Sequence, residues 1–190
     1  IAQQYKAKVK LLDANKHALH LGRDYAREHL DPIGLRVRKA DNVGDKIFID
    51  GNSAAALGCV YGGATVCAWY PITPSSSLAE AFQSCQKYRV DPETGKNRYA
   101  MIQAEDEIAS IGIVTGAGWN GARAFTTTSG PGISLMNEFI GLAYFAEIPV
   151  TIIDVQRGGP STGMPTRTQQ SDILPAAYAS HGDTKHVLLL

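Results

Sequence analysis

The chain has 190 residues, 44% of them hydrophobic, which is ordinary for a soluble domain with a sizeable core. Its 18 basic residues balance 18 acidic ones, and a formal net charge of +0 argues against nucleic acid or an anionic membrane as partner. No apolar run approaches a membrane span and no basic-then-apolar signal segment is present, so a cytoplasmic location is expected.

Residues Lys10 to His29 place Leu11, Leu12, Ala14, Ala18, Leu19, Leu21 and Ala26 among charges, the pattern of an amphipathic helix. Asp31-Pro32 ends it, because proline disfavours a helical residue before it. Residues 31–45 read as a charged linker with turn signals at Asp41-Asn42 and Gly44-Asp45. The helix and linker, residues 1–44, look like the tail of a preceding domain; a second domain is expected over 45–190.

From Lys46 the pattern alternates between strands and helices. A short strand at Ile47–Ile49 is expected, then a turn and cap at Asp50–Ser53 and a small-residue helix over Ala54–Gly63. The strand Ala64–Tyr70 is stopped by Pro71 and Pro74, and a helix runs from Ser76 to about Tyr88. A surface turn at Asp91–Gly95 precedes the strand Tyr99–Ala104. The next helix runs from Glu105 to about Ala117, with Ile108, Ile111, Gly112 and Thr115 on one apolar stripe. Strand Arg123–Thr128, helix Ile133–Phe145 and strand Pro149–Val155 follow, the last continuous and β-branched. A Gly/Pro-rich loop, Gln156–Gln170, leads to a helix near Ser171–Ser180 and a final strand at Val187. Strands alternating with crossover helices predict an α/β fold, a doubly wound parallel sheet covered on both faces. A chain that starts at Ile1 and stops in a strand is expected to be a piece of a longer one.

Several motifs resolve as decoys. Gly116, Gly118 and Gly121 match G-x-G-x-x-G, and Glu138 lies beyond them, but they end a helix and precede a strand, the reverse of the dinucleotide-binding order. They read instead as a helix C-terminus and tight turn. Ser129 sits at a strand-to-helix turn, yet Thr127 stands where a nucleophile elbow needs glycine. No P-loop is present. The cysteines Cys59, Cys67 and Cys85 are odd in number and none forms C-x-x-C, so they read as buried hydrophobes in a reducing compartment. His17 and His20 share a helix face without a suitable third ligand, and no metal site is expected from this chain.

Three features remain. The loop WYPITPSSS, Trp69 to Ser77, puts the hydroxyls of Thr73, Ser75 and Ser76 and free backbone N–H groups at a strand's carboxyl end, where open α/β sheets bind ligands. Glu105-Asp106-Glu107 opens a helix in an apolar neighbourhood. Acidic residues in a first turn ordinarily complement the helix dipole, but three exceed that need, and at least one is expected to turn inward. Arg157 directly follows the strand Pro149–Val155, with Gly158-Gly159 giving the backbone freedom. Its fork can hold a carboxylate bidentately in the crevice that Thr73 faces, against the bland alternative of a solvated loop arginine.

At these residues the sequence resembles a family. YPITPSS, EDEIASIG, TTSGPGISLMNE and RGGPSTGMPTRTQQSD, in this order, are similar to the α subunits of 2-oxoacid:ferredoxin oxidoreductases, those of 2-oxoglutarate type above all. The resemblance runs from about Ile47 to the end, and residues 1–44 look like the last helix and linker of the γ-type domain fused ahead of the α domain in some members.

The resemblance implies the pyrimidine-binding domain of a thiamine diphosphate enzyme. It gives Glu107 the place of the glutamate facing N1′ of the aminopyrimidine, with Pro71 and Ile72 beside the cofactor. A carboxyl hydrogen-bonded to N1′ favours the imino tautomer that activates the thiazolium, which then takes up the electrons released on decarboxylation. Thr73 and Arg157 match the residues that bind the substrate's carboxylate and keto region. Thr162, Thr166 and Arg167 lie in a loop that borders the substrate, without assigned roles. The implied reaction is oxidative decarboxylation of a 2-oxoacid with coenzyme A to an acyl-CoA, succinyl-CoA for 2-oxoglutarate, with reduction of ferredoxin. No G-D-G with its asparagine is present for magnesium and diphosphate, and no four clustered cysteines. The family places Mg2+ and a 4Fe–4S cluster on a separate β subunit, so an αβ or (αβ)2 assembly is implied and this chain holds half a site. A non-oxidative thiamine diphosphate enzyme and a non-catalytic α/β assembly domain are the alternatives; ferredoxin reduction and cofactor-dependent heat separate them.

Overall fold

The computed structural model of the chain describes residues 8–160 and 169–183, which fall into two units, Ile1–Ile47 and Phe48–Leu190. In the first unit, α1 (Val9–His29) is the amphipathic helix that the periodicity predicts. Arg27 and His29 in its last turn suit the negative end of the helix dipole, and Tyr25 stacks on the His29 ring. Leu30 turns extended before Asp31-Pro32, ending the helix where proline requires. None of its described residues is buried. Residues 42–45 form the predicted turn, with Gly44 in the left-handed region at φ 59°.

The predicted strand at Ile47–Ile49 is not formed. These residues are exposed, Phe48 fully so, and none pairs with another strand among the described residues. A β-branched run signals a strand only where a ladder is available to it. Its neighbour Asp50 instead caps a helix: Oδ1 accepts from Ser53 N at 2.9 Å and starts α2 (Gly51–Tyr61).

The second unit continues with β1 (Val66–Trp69), α3 (Ser76–Ser84), β2 (Ala100–Gln103), α4 (Glu107–Trp119), β3 (Ala124–Thr128), α5 (Gly130–Phe145), β4 (Thr151–Asp154) and the short α6 (Ile173–Ala177). The helix predicted over Ser76–Tyr88 tightens after Ser84 into a 3-10 turn, Gln86–Arg89. The four strands pair in parallel in the order β2-β1-β3-β4. The predicted strand at Val187 lies outside the described residues, as do Thr162, Thr166 and Arg167.

Helices cover both faces of the sheet. On one, Ala56 and Val60 of α2 and Leu78, Ala79 and Phe82 of α3 pack on Cys67, Trp69 and Phe125. Phe82 and Phe125 meet edge to face at 4.9 Å. On the other, Val114 of α4 packs on Ala68 and Ala124, and α5 lies beside α4. The central strands β1 and β3 are therefore largely buried, β3 through the three threonines Thr126–Thr128 as well as Ala124 and Phe125, whereas β2 and β4, at the edges of the described sheet, are largely half-exposed or exposed. Ile108 is also exposed, contrary to the predicted stripe; the buried positions of α4 are Glu107, Ser110, Ile111, Val114, Thr115 and Gly118. Burial pushes the Cys67 thiol up to about 12, with a smaller push from Cys59, so it packs as a small hydrophobe without reactivity. Gly121, at φ 84°, makes the tight turn after α4 that the G-x-G-x-x-G decoy encodes. Among the described residues no helix is long and apolar enough to cross a membrane.

Candidate functional site

The strand order reverses direction between β1 and β3: the chain moves outward from β1 to β2, then crosses back to β3 and continues to β4. At such a switch point the loops leaving adjacent strands diverge and open a crevice at the strands' carboxyl ends. The loop after β1, residues 70–75, forms one side of it.

Three side chains from three other segments hold this loop. Asn52 Nδ2 of α2 donates to Pro74 O at 3.0 Å. Ser75 Oγ and Thr127 Oγ1 of β3, both fully buried, share a hydrogen bond of 2.8 Å across the switch point. Arg157, after β4, donates from Nη1 to Thr73 O at 2.8 Å. The loop's own backbone closes a turn, Ser75 N and Ser76 N both donating to Ile72 O. Ile72 is buried, while Pro71 and Thr73 are exposed. The Thr73 side chain is thus displayed on a fixed backbone.

The acidic triplet separates into three roles. Glu105 is exposed. Asp106 is the N-cap of α4, its Oδ1 accepting from Ala109 N at 2.6 Å. Glu107 is turned inward to 8% exposure, and its carboxyl makes no hydrogen bond among the described residues. Its oxygens are not among the sealed, unpartnered polar atoms, so the carboxyl is presented at an opening that a ligand could fill. Against Glu107 stands the start of α5. A Cβ at Gly132 would lie 3.0 Å from Glu107 Cγ and 1.9 Å from Thr128 Oγ1, so only glycine lets α5 approach this closely.

Arg157 is buried to 3% exposure, which removes the reading of a solvated loop arginine. Its backbone N donates to Asp172 Oδ2 at 3.0 Å, and the same oxygen accepts from Gly130 N, the first residue of α5, at 2.9 Å. Behind Asp172 lies Asp154, the last residue of β4. Burial first, and then the charge of Asp172, push the Asp154 carboxyl up to about 7.

The predicted site residues therefore all lie beyond the carboxyl ends of strands, Thr73 after β1, Glu107 after β2 and Arg157 after β4. Thr73 and Arg157 touch directly, and Glu107 packs against Gly132, within the first turn of α5 that Asp172 ties to Arg157. Sequence reasoning missed Asn52, Thr127 and Asp172. Asp172 closes the fourth motif, and that position was its only signal. No group of three or more potential metal ligands occurs among the described residues. Asp50 and Asn52, in the isolated D-G-N run ahead of β1, serve as helix cap and loop tie.

The family model described as pyruvate flavodoxin/ferredoxin oxidoreductase, thiamine diphosphate-binding, matches residues 57–190. The chain is 42% identical, over its whole length, to subunit alpha of 2-oxoacid:ferredoxin oxidoreductase 2 from Aeropyrum pernix, of which it covers 30%. It is 48% identical over 75% of its length to 2-oxoglutarate synthase subunit KorA of Methanocaldococcus jannaschii, covering 37% of that protein. Among solved structures, the 2-oxoglutarate:ferredoxin oxidoreductase of Magnetococcus marinus, with 2-oxoglutarate, coenzyme A and succinyl-CoA bound, aligns at TM-score 0.69 and 38% identity. That alignment covers 97% of this chain and 31% of the other. The chain thus spans roughly a quarter to two fifths of the length of the curated relatives it matches. With a parallel sheet of matching architecture and relatives at this level of identity, the chain belongs to the thiamine diphosphate-binding family of the pyruvate:flavodoxin/ferredoxin oxidoreductases, among the α subunits of 2-oxoacid:ferredoxin oxidoreductases.

Proposed function

We propose that this chain supplies the pyrimidine-side wall of a thiamine diphosphate site, in the α subunit of an enzyme that oxidatively decarboxylates a 2-oxoacid, 2-oxoglutarate by preference. The observation that carries the reading is Glu107: a carboxyl turned inward at a strand-to-helix junction, with no hydrogen-bond partner among the described residues. A buried ring nitrogen is the kind of partner it lacks, and the residues present fit the cofactor in this respect.

When bound, thiamine diphosphate supplies a nucleophilic carbon for the keto group and an electron sink for loss of carbon dioxide. The chain's own residues bind and orient. Glu107 holds the aminopyrimidine through N1′ in a dry setting, where a hydrogen bond is strong. Ile72 gives the ring an apolar neighbour, and Pro71 fixes the loop's course beside it. Thr73 offers its hydroxyl to the substrate's carboxylate and keto region, and Arg157 brings the compensating positive charge to the same carboxylate. Arg157's bond to Thr73 O keeps the two substrate contacts at one fixed spacing.

The partner in this reading is a β subunit that carries Mg2+, the diphosphate contacts and a 4Fe–4S cluster, with coenzyme A as acyl acceptor and ferredoxin as electron acceptor. Residues 1–44 belong to the end of a preceding γ-type domain, and 45–190 to the pyrimidine-binding domain.

The test is Glu107→Gln in the complete α subunit assembled with its β subunit. Turnover is expected to fall by about a hundredfold or more, as for loss of a proton-transferring group, with folding and assembly intact. Near-normal turnover of the assembled variant sinks the assignment. Ferredoxin reduction that requires both the 2-oxoacid and coenzyme A is expected of the wild-type complex; decarboxylation without it would indicate non-oxidative chemistry instead.

A further inference from the structure

The carboxylate of Asp172 is placed where two segments of the crevice meet. Its Oδ2 accepts from the first N–H of α5, at Gly130, and from the backbone N–H of Arg157. The two donors lie 42 and 15 residues away in sequence, so no local turn explains the arrangement. The residue is 3% exposed, and a buried carboxylate is retained at such a place only with good donors. Only a residue without a side chain at position 130 lets Asp172 in: a Cβ on Gly130 would lie 2.6 Å from Oδ2 and 2.7 Å from Asp172 Cβ. The other end of Arg157 reaches Thr73 O. One oxygen therefore fixes the root of the side chain whose tip fixes the loop after β1.

We propose that Asp172 is a positioning residue, a buried clamp that ties the N-terminus of α5 to the backbone of Arg157 and thereby sets where the Arg157 guanidinium stands relative to Thr73. Neither Asp154 Oδ1 nor Asp172 Oδ1 has a hydrogen-bond partner among the described residues, so the clamp is made by Oδ2 alone. The functional consequence rests on the proposed 2-oxoacid site; the clamp itself does not.

The experiment uses the complete α subunit assembled with its β subunit and compares Asp172→Ala with Asp172→Asn. Two readouts are taken: amide hydrogen-exchange protection at Gly130 and Arg157, and KM and kcat for 2-oxoglutarate. Alanine removes the acceptor, so both amides are expected to lose protection and KM to rise about tenfold or more, with kcat changed less. Asparagine can put its carbonyl oxygen where Oδ2 stands, so it is expected to restore protection at both amides and most of KM. Unchanged protection in the alanine variant overturns the clamp, as does an asparagine variant that behaves like alanine. Lost protection with an unchanged KM overturns the positioning role while leaving the proposed function standing. A wild-type complex with the expected protection but no 2-oxoacid turnover overturns the proposed function and leaves the clamp.

Discussion

Asp154 gives the clearest reading of a single group. Its carboxyl is raised from an ordinary 3.8 to about 7, first by burial and then by the negative charge of Asp172. Between those values the folded chain holds a proton that the unfolded chain has released. Linkage then gives the sign: this group makes stability fall as pH rises from about 4 to about 7, and contributes no further slope above that. Chemical denaturation at about pH 5 and about pH 8 is expected to show a larger loss for the wild type than for Asp154→Asn, in which the slope is absent; parallel losses would contradict it. Arg157 carries a second prediction at this scale. Lysine keeps the charge but not the planar fork, so Arg157→Lys is expected to weaken 2-oxoacid binding about ten- to a hundredfold, the equivalent of a charge-assisted hydrogen bond. A substrate titration of the assembled enzyme measures it, and an unchanged KM would remove Arg157 from the substrate site.

Among the elements, α4 and α5 meet at Gly132, where no side chain fits beneath Thr128 and Glu107. Gly132→Ala is expected to destabilise the domain by about 1–3 kcal/mol, the usual range for overpacking, and to reduce cofactor-dependent activity by displacing Glu107. A thermal melt and an activity assay of one preparation test both halves; a variant as stable as wild type would show that α5 can shift freely. Much at this scale is legible in the sequence. Period and breakers predict α1, α2, β1, β3 and α5 to within a few residues, because proline, glycine and capping residues act locally. Ile47–Ile49 misleads because composition signals a strand while nothing in the sequence says whether a ladder awaits it. Ile108 misleads because a small-residue helix such as α4 carries little periodicity to tell its faces apart. Glu107, Thr73 and Arg157 can be proposed as site residues from the sequence because motifs that resemble the family's carry them at strand ends. Asp172 cannot be, since its role depends on donors that only the folded chain brings near.

At the scale of the whole molecule, the proposed site assigns this chain a ring nitrogen and a substrate carboxylate, and no group of three or more potential metal ligands occurs among the described residues. Calorimetry with thiamine diphosphate and Mg2+ is expected to show binding to the assembled αβ complex and little to the α subunit alone. Equal affinity in the two samples would mean that the α subunit anchors the diphosphate by itself.

The loop after β1 has one more consequence. Asn52, Thr127 and Arg157 hold it from three directions, through contacts made entirely within this chain. Its conformational freedom is therefore lost when the domain folds, not when something docks against it. A partner completing the crevice meets a preformed surface, and association is expected to proceed as one second-order phase whose rate follows partner concentration, without a slower rearrangement behind it. Stopped-flow mixing of separated subunits reads this directly, and a concentration-independent phase would mean that the wall is finished only on contact.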